Sequence, residues 1–230
     1  MSVLVVAEKP SVARDLAAVL GAHERGDGIL RGNGWVVSWA VGHLVGLAEP
    51  HQVDPSWRTW RREKLPMLPT RWPLTVLEDG ENQFKILKRW MHASEIESIV
   101  CATDAGREGE LIFRFIYEAA GAKKAVQRLW ISSLTPDAIR RGMDRLRPAR
   151  DFDGLGQAAR GRAQADWLVG MNLTRAYTIA AGTWGEMLSV GRVQTPTLAI
   201  LVDREREIQA FVPEKYFEVV AEFGAPPTGA

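Results

Sequence analysis

Two acidic residues stand just beyond runs of apolar and β-branched residues: Glu8 after residues 3–7, and Asp104 after residues 97–102. If both runs are parallel strands of one sheet, their carboxyl ends lie together, where open α/β sheets bind ligands. The segment Thr103-Asp-Ala-Gly-Arg-Glu-Gly-Glu110 adds Glu108 and Glu110 at the mouth of what reads as a helix. Carboxylates gathered in this way repel unless a cation sits among them, and hard oxygen ligands suit Mg²⁺. A plainer alternative is that Glu8 and Asp104 only favour helix N-termini, as caps or through the helix dipole. Against it, Arg107 stands where a capping box wants Glu or Gln. Gly106 and Gly109 also each cost roughly 1 kcal/mol in a helix start, which predicts a backbone needed at close range. Spacing alone leaves both readings open.

The scaffold that must position these residues is predicted as follows. Residues 3–7 read as a buried strand. Pro10 suits a helix start, residues 11–20 carry helical apolar spacing, and Gly21 stops the helix. Two β-prone pieces, 29–31 and 35–41, are joined by Gly32-Asn33-Gly34, a hairpin signal. Residues 50–73, rich in proline, tryptophan and arginine, are expected to form a long ordered loop. Helix 82–93, strand 97–102, helix 108–120, strand 126–131 and helix 136–146, capped by Thr135, continue the alternation. The expected fold class is therefore α/β, with a mostly parallel sheet, followed by a mostly α-helical segment. Arg147-Pro148-Ala149-Arg150 reads as a domain boundary, after which residues 153–181 and 193–210 are helical. Residues 216–223 resemble a first strand with no partner to follow, as in a truncated chain, and residues 224–230 form a short tail.

Composition sets outer bounds. The chain has 230 residues, 46% hydrophobic and 25% charged, enough for a core and too apolar for wholesale disorder. A formal net charge of +1 means that any nucleic-acid contact must come from local basic patches. The single cysteine, Cys101, cannot form an internal disulfide, and no Cys/His cluster has zinc spacing. No basic lead-in marks residues 1–8 as a signal peptide, and no apolar run reaches the roughly 18 residues of a membrane span. A cytoplasmic protein without a membrane partner is expected.

Four short motifs carry a resemblance: Glu8-Lys9-Pro10-Ser11, Ala40-Val-Gly-His-Leu44, Leu65-Pro-Met-Leu-Pro69 and Asp104-Ala-Gly-Arg-Glu-Gly-Glu110. They resemble the TOPRIM domain, a Rossmann-like fold, of topoisomerase III, a type IA DNA topoisomerase. Independently, Ala159-Arg-Gly-Arg-Ala-Gln-Ala-Asp-Trp-Leu-Val-Gly-Met-Asn-Leu-Thr-Arg175 is similar to that family's first helical element after TOPRIM, and Ser189-Val-Gly-Arg-Val-Gln-Thr-Pro-Thr-Leu198 to its signature helix start. The resemblance spans nearly residues 1–223. It implies that Glu8, Asp104 and Glu108 hold Mg²⁺ beside the scissile phosphate. It also implies that Lys9 contacts the phosphate and assists proton transfer to the leaving oxygen, and that His43 lies on the active-site side. The sequence departs from the common Asp-x-Asp-x-Glu pattern at Gly106, which suggests a single ion and puts a second in doubt.

By residue type alone, Lys9 reads equally well as an exposed lysine, and His43 as a structural histidine. Arg107 could reach DNA or pair with the acids. In the helical part the resemblance implies a single-strand DNA groove, with Arg160, Arg162, Arg175, Arg192 and Gln194 as candidate contacts. Gly191 and the N–H groups before Val193 offer a phosphate site at a helix start. Spaced arginines can equally be a solvated helix face. Trp57, Trp60 and Trp72, interleaved with Arg58, Arg61, Arg62 and Lys64, could stack bases or serve as buried anchors.

Type IA enzymes cut one strand by attack of a tyrosine, forming a 5′-phosphotyrosyl link. The family's tyrosine precedes Pro-Arg, whereas Tyr117, Tyr177 and Tyr216 precede Glu, Thr and Phe. The expectation is thus an amino-terminal part of a type IA topoisomerase that relaxes negative supercoils or decatenates. It would contain a TOPRIM domain (1–150), part of a helical DNA-binding domain (151–213) and the start of a gate domain (214–230). Such a chain would bind Mg²⁺ and single-stranded DNA, with a monomer as the default state, and would not cleave DNA by itself. A stand-alone TOPRIM nuclease or primase-type protein, and a non-catalytic DNA-binding module, are the alternatives.

Overall fold

The computed structural model describes residues 1–183 and 185–224. It divides into two compact units, Met1–Gly191 and one that begins at Arg192.

In the first unit, strand β1 (Ser2–Ala7) leads into helix α1 (Pro10–Leu20), which ends at Gly21 with φ 75°, a left-handed conformation that glycine adopts without strain. Three short strands follow, β2 (Glu24–Gly26), β3 (Ile29–Gly32) and β4 (Trp35–Trp39), then β5 (Val45–Leu47) and the one-turn α2 (Pro50–Val53). Strand β6 (Leu74–Val76) precedes α3 (Glu81–His92), β7 (Ile96–Ala102), α4 (Arg107–Ala120) and β8 (Val126–Arg128). Helix α5 (Pro136–Met143), the two-residue strand β9 (Arg147–Pro148) and the 29-residue α6 (Asp153–Ala181) complete the unit. The Thr135 side chain caps α5 by accepting from Ala138 N at 3.4 Å, as expected from the sequence.

The main sheet has the order β2-β3-β4-β1-β7-β8-β9. Its centre, β4-β1-β7-β8, is parallel, but β2-β3, β3-β4 and β8-β9 pair antiparallel. The expected mostly parallel sheet is thus a mixed one with a parallel centre and antiparallel flanks. Strand β1 lies in the middle, with Leu4, Val5, Val6 and Ala7 wholly buried, which is why its sequence is a continuous apolar run rather than an alternation. Leu4 and Val6 face one layer of the core with Leu87, Met91, Ile112 and Ile116. Val5 and Ala7 face the other with Leu16, Ala17 and Ile139. Helices therefore cover both faces of this strand, and its carboxyl end opens at the sheet edge.

Two further expectations change. Strand 126–131 stops at Arg128, because the chain turns out of the sheet beyond it. The stretch 147–150, read as a domain boundary, is tied to the sheet at its start, where Arg147 and Pro148 pair with Arg128 and Gln127. Residues 216–223 form no strand, and Tyr216, Phe217, Val219, Val220 and Phe223 are exposed. A single strand has no ladder to complete and no face to bury, so β-branched composition alone does not fix it. The 50–73 segment is ordered, as expected. Met67 is buried, its N–H donates to Asn172 Oδ1 at 2.6 Å, and Asn172 Nδ2 donates back to Met67 O at 3.1 Å.

The second unit contains α7 (Gln194–Gln209), which carries the pairs Arg204–Glu207 at 2.9 Å and Asp203–Arg206 at 3.4 Å. No helix among the described residues is long and apolar enough to cross a membrane.

Candidate metal centre

Strands β1 and β7 run parallel, with Ala7 opposite Ala102, so the chain leaves both at the same edge of the sheet. Glu8 and Asp104 emerge side by side there: the Asp104 N–H donates to Glu8 Oε2 at 3.1 Å. Glu8 is only 8% exposed, while Asp104 and Glu108 are open to solvent. Lys9 Nζ lies 3.7 Å from Asp104 Oδ2, and His43 Nε2 lies 2.9 Å from Glu108 Oε1. The edge thus brings together Glu8, Lys9 and Asp104, with Glu108 and His43 as a second pair. Among the described residues no group of three or more His, Cys, Asp or Glu side chains is gathered closely enough to hold a metal. Asp104 and Glu108 are engaged by Lys9 and His43 instead.

The connection from β7 to α4 explains the glycines only in part. A Cβ on Gly109 would lie 2.2 Å from Asp104 O, so this position requires the close backbone that the sequence suggested. Gly106 does not: its φ of −177° is ordinary extended backbone, and a Cβ there would meet nothing within 4 Å. The loop has room for a side chain at 106. Thr103 Oγ1 donates to Gly109 O at 2.7 Å and ties the two ends of the turn.

Beneath this loop lies a residue that the sequence reading missed. Arg128, 1% exposed at the end of β8, donates to Thr103 O at 2.7 Å, Asp104 O at 2.7 Å, Leu129 O at 2.9 Å and Cys101 O at 3.1 Å. It also pairs with Glu110 at 3.1 Å. Glu110, grouped with the edge acids by sequence, is buried between Arg128 and Arg114, the latter at 2.7 Å. It is a scaffold residue rather than a ligand. Burial works against the Arg114 charge, but the hydrogen bonds to Glu110 and Asp153 outweigh it and raise the pKa. Desolvation pushes the Cys101 thiol up to about 11. The signal for Arg128 was a charge inside an otherwise strand-like run, which is unusual unless it is paired.

The other candidate contacts are spread along two units. Arg107 is exposed and makes no ion pair among the described residues. On α6, Arg160 pairs with Glu118 and lies over the Phe115 ring at 5.0 Å, while Arg162 lies 3.8 Å from Asp166. Arg162 lines a cavity of about 290 Å³ together with His43, Glu108 and Trp167. Arg175 is buried: it donates to Trp57 O at 2.6 Å and lies over the Trp60 ring at 5.0 Å, and burial lowers its pKa. Trp57 and Trp72 pack on Trp167, at ring distances of 6.4 and 5.4 Å, so both are anchors, whereas Trp60 is 40% exposed. Arg192 and Gln194 lie in the second unit, Gln194 as the first residue of α7. Tyr117 is engaged as a donor to Lys124 O at 2.8 Å, and Tyr177 and Tyr216 are exposed.

The family model of the Toprim domain matches residues 3–134, more than half of the chain and the whole of the carboxylate edge. The chain belongs to the Toprim-domain family. Beyond the Toprim domain, a second family model, described as DNA topoisomerase, matches residues 151–229. Two relatives, each named DNA topoisomerase 3, come from Shouchella clausii and Bacillus subtilis. They are 50% and 47% identical over 95% of this chain. The chain spans 30% of the length of each. A solved structure of full-length topoisomerase I from Thermotoga maritima matches 93% of the chain and 32% of its own, with a TM-score of 0.59 at 27% identity.

Proposed function

We propose that this chain supplies the Mg²⁺ site and part of the single-strand groove of a type IA DNA topoisomerase of the topoisomerase III kind, working in the cytoplasm. In this reading the Toprim domain occupies residues 1–150, and the helical DNA-binding part begins at residue 151. The observation that carries it is the juxtaposition of Glu8 and Asp104 at neighbouring parallel strand ends, inside a domain matched from residue 3 to residue 134.

The donor set fits a divalent ion of the magnesium type, since Glu8, Asp104 and Glu108 offer only hard oxygen. Asp104 and Glu108 are held in place by exposed pairs with Lys9 and His43. Such pairs contribute about 0–1 kcal/mol, so the carboxylates can turn toward an ion at little cost. When bound, the ion would neutralise charge on the scissile phosphate. Glu8, fixed by the Asp104 N–H, is the rigid member of the set. Lys9, released from Asp104, is placed to contact the phosphate and to assist proton transfer to the leaving oxygen. Arg107, the first residue of α4, and His43, beside Glu108, are further phosphate contacts in this reading. The attacking tyrosine is none of Tyr117, Tyr177 and Tyr216, and comes from residues outside these 230. Single-stranded DNA is the substrate, with Arg160, Arg162 and Arg175 of α6 as contacts in the first unit; Arg192 and Gln194 are separate candidate contacts of the second unit.

Complementation tests this reading. Addition of the carboxy-terminal portion of a topoisomerase 3 relative should give Mg²⁺-dependent relaxation of negatively supercoiled DNA, absent with Asp104→Ala. Metal-dependent strand scission by this chain alone, with no covalent protein–DNA adduct, would instead favour a Toprim nuclease.

A further inference from the structure

A polar cavity of about 410 Å³ lies apart from the carboxylate pair and has no role in the account above. Its walls include Trp130, Ser132 and Ser133 on one side and Arg141, Gly142 and Arg145 on the other. Its place follows from the topology. Strand β8 runs parallel to β7, with Arg128 opposite Cys101, so residues 129–133 leave the sheet at the edge where Glu8 and Asp104 emerge. Helix α5 closes the far side. A Cβ on Gly142 would lie 2.5 Å from Ile131 Cγ2 and 2.7 Å from Leu129 Cδ1, so the glycine lets the helix sit flush against these side chains as they stand.

The charge at this cavity is unbalanced. Arg140 and Arg147, close by in sequence, have carboxylate partners in Asp137 at 2.8 Å and Asp151 at 3.4 Å. Arg141 and Arg145, the two that line the cavity, are exposed and have no ion-pair partner among the described residues. Asp144, between them in sequence, is not part of the wall. Two guanidinium groups without a counter-charge share the wall with Ser132 and with Ser133, whose hydroxyl accepts from Thr135 N at 3.4 Å. The guanidinium pair matches the tetrahedral, multiply accepting oxygens of a phosphate group.

We infer that this cavity binds a backbone phosphate of the same DNA strand whose scissile phosphate lies at Asp104, one or more nucleotides away along the sheet edge. The inference rests on the single-strand DNA reading proposed above. Arg141 and Arg145 donate to the phosphate oxygens, and Ser132 completes the shell. The contact is to the backbone, so it holds register without reading sequence.

The test is fluorescence anisotropy of a labelled single-stranded oligonucleotide against the whole chain, as a function of salt. Arg141→Ala/Arg145→Ala should raise Kd about tenfold near physiological salt and lower the slope of log K against log salt by about 1.4, the release expected for two phosphate contacts on a single strand. Arg141→Lys/Arg145→Lys should keep most of the slope. Arg25→Ala/Arg31→Ala, an equal charge loss on the β2–β3 hairpin, should change neither. An unchanged slope in the Arg141/Arg145 double variant, with wild-type binding intact, overturns the cavity assignment and leaves the topoisomerase reading standing. No binding of single strand by the wild type removes both. Titration with inorganic phosphate at matched ionic strength separates the possible sources. Capture of the free anion, with no effect of the double variant on the oligonucleotide, marks a small-anion site and overturns the assignment to DNA.

Discussion

Arg128 and Glu110 make their ion pair with side chains 1% and 3% exposed, whereas Lys9 and Asp104, at the same sheet edge, pair with 57% of each side chain open to water. The lower layer is stapled: Arg128 spends its donors on four carbonyls and one carboxylate, and so fixes the backbone from Cys101 to Asp104. The upper layer is loose, because surface pairs gain little over hydration. The difference separates two uses of charge a few residues apart. Buried charge sets where the Asp104 main chain lies. Exposed charge leaves its carboxylate free to exchange one cation for another.

The largest expected effect follows from breaking the buried layer. Arg128→Ala leaves Glu110 buried with only Arg114, and strips the Thr103 and Asp104 carbonyls of their donor. It should cost about 3–5 kcal/mol in urea unfolding, as for other broken buried pairs. A loss below about 1 kcal/mol would mean that the lower layer is no staple. Cys101, whose carbonyl accepts from Arg128, gives a smaller and pH-dependent effect. Its folded pKa is raised from 9.0 to about 11, so the stabilising, protonated form is fully present below pH ~9 and is lost as pH rises through about 11. Native stability should fall over that window by up to about 3 kcal/mol from this group, and Cys101→Ala should flatten that part of the curve. The smallest effect belongs to the upper layer. Lys9→Met should change stability by less than about 1 kcal/mol while impairing strand cleavage in the complemented enzyme. A large loss of stability would erase the contrast between the layers.

Much of this contrast was legible in the residues. The run Leu4–Ala7 announces a strand buried on both faces, and Glu8 directly after it is placed by that fact alone. The glycine turn at 32–34, the Gly21 stop and the Thr135 cap are local, and local signals survive folding. What depends on partners did not show. Val126–Arg128 could be read as part of a longer strand, because nothing in it tells where the sheet lets go. Residues 216–223 have strand composition but no neighbour to pair with. Glu110 looks like Glu108 in sequence. Only the turn of α4 that directs one outward and the other onto Arg128 distinguishes scaffold from candidate ligand. Gly106 and Gly109 looked alike too, yet only at Gly109 would a Cβ run into the Asp104 backbone.

The account rests on exposed carboxylates at this edge accepting a divalent ion in place of Lys9 and His43. Calorimetric titration of Mg²⁺ into the wild-type chain and into Asp104→Ala tests it most directly. The account predicts saturable binding of one ion by the wild type and its loss in the variant, whose fold by circular dichroism stays intact. Equal binding by both would contradict it.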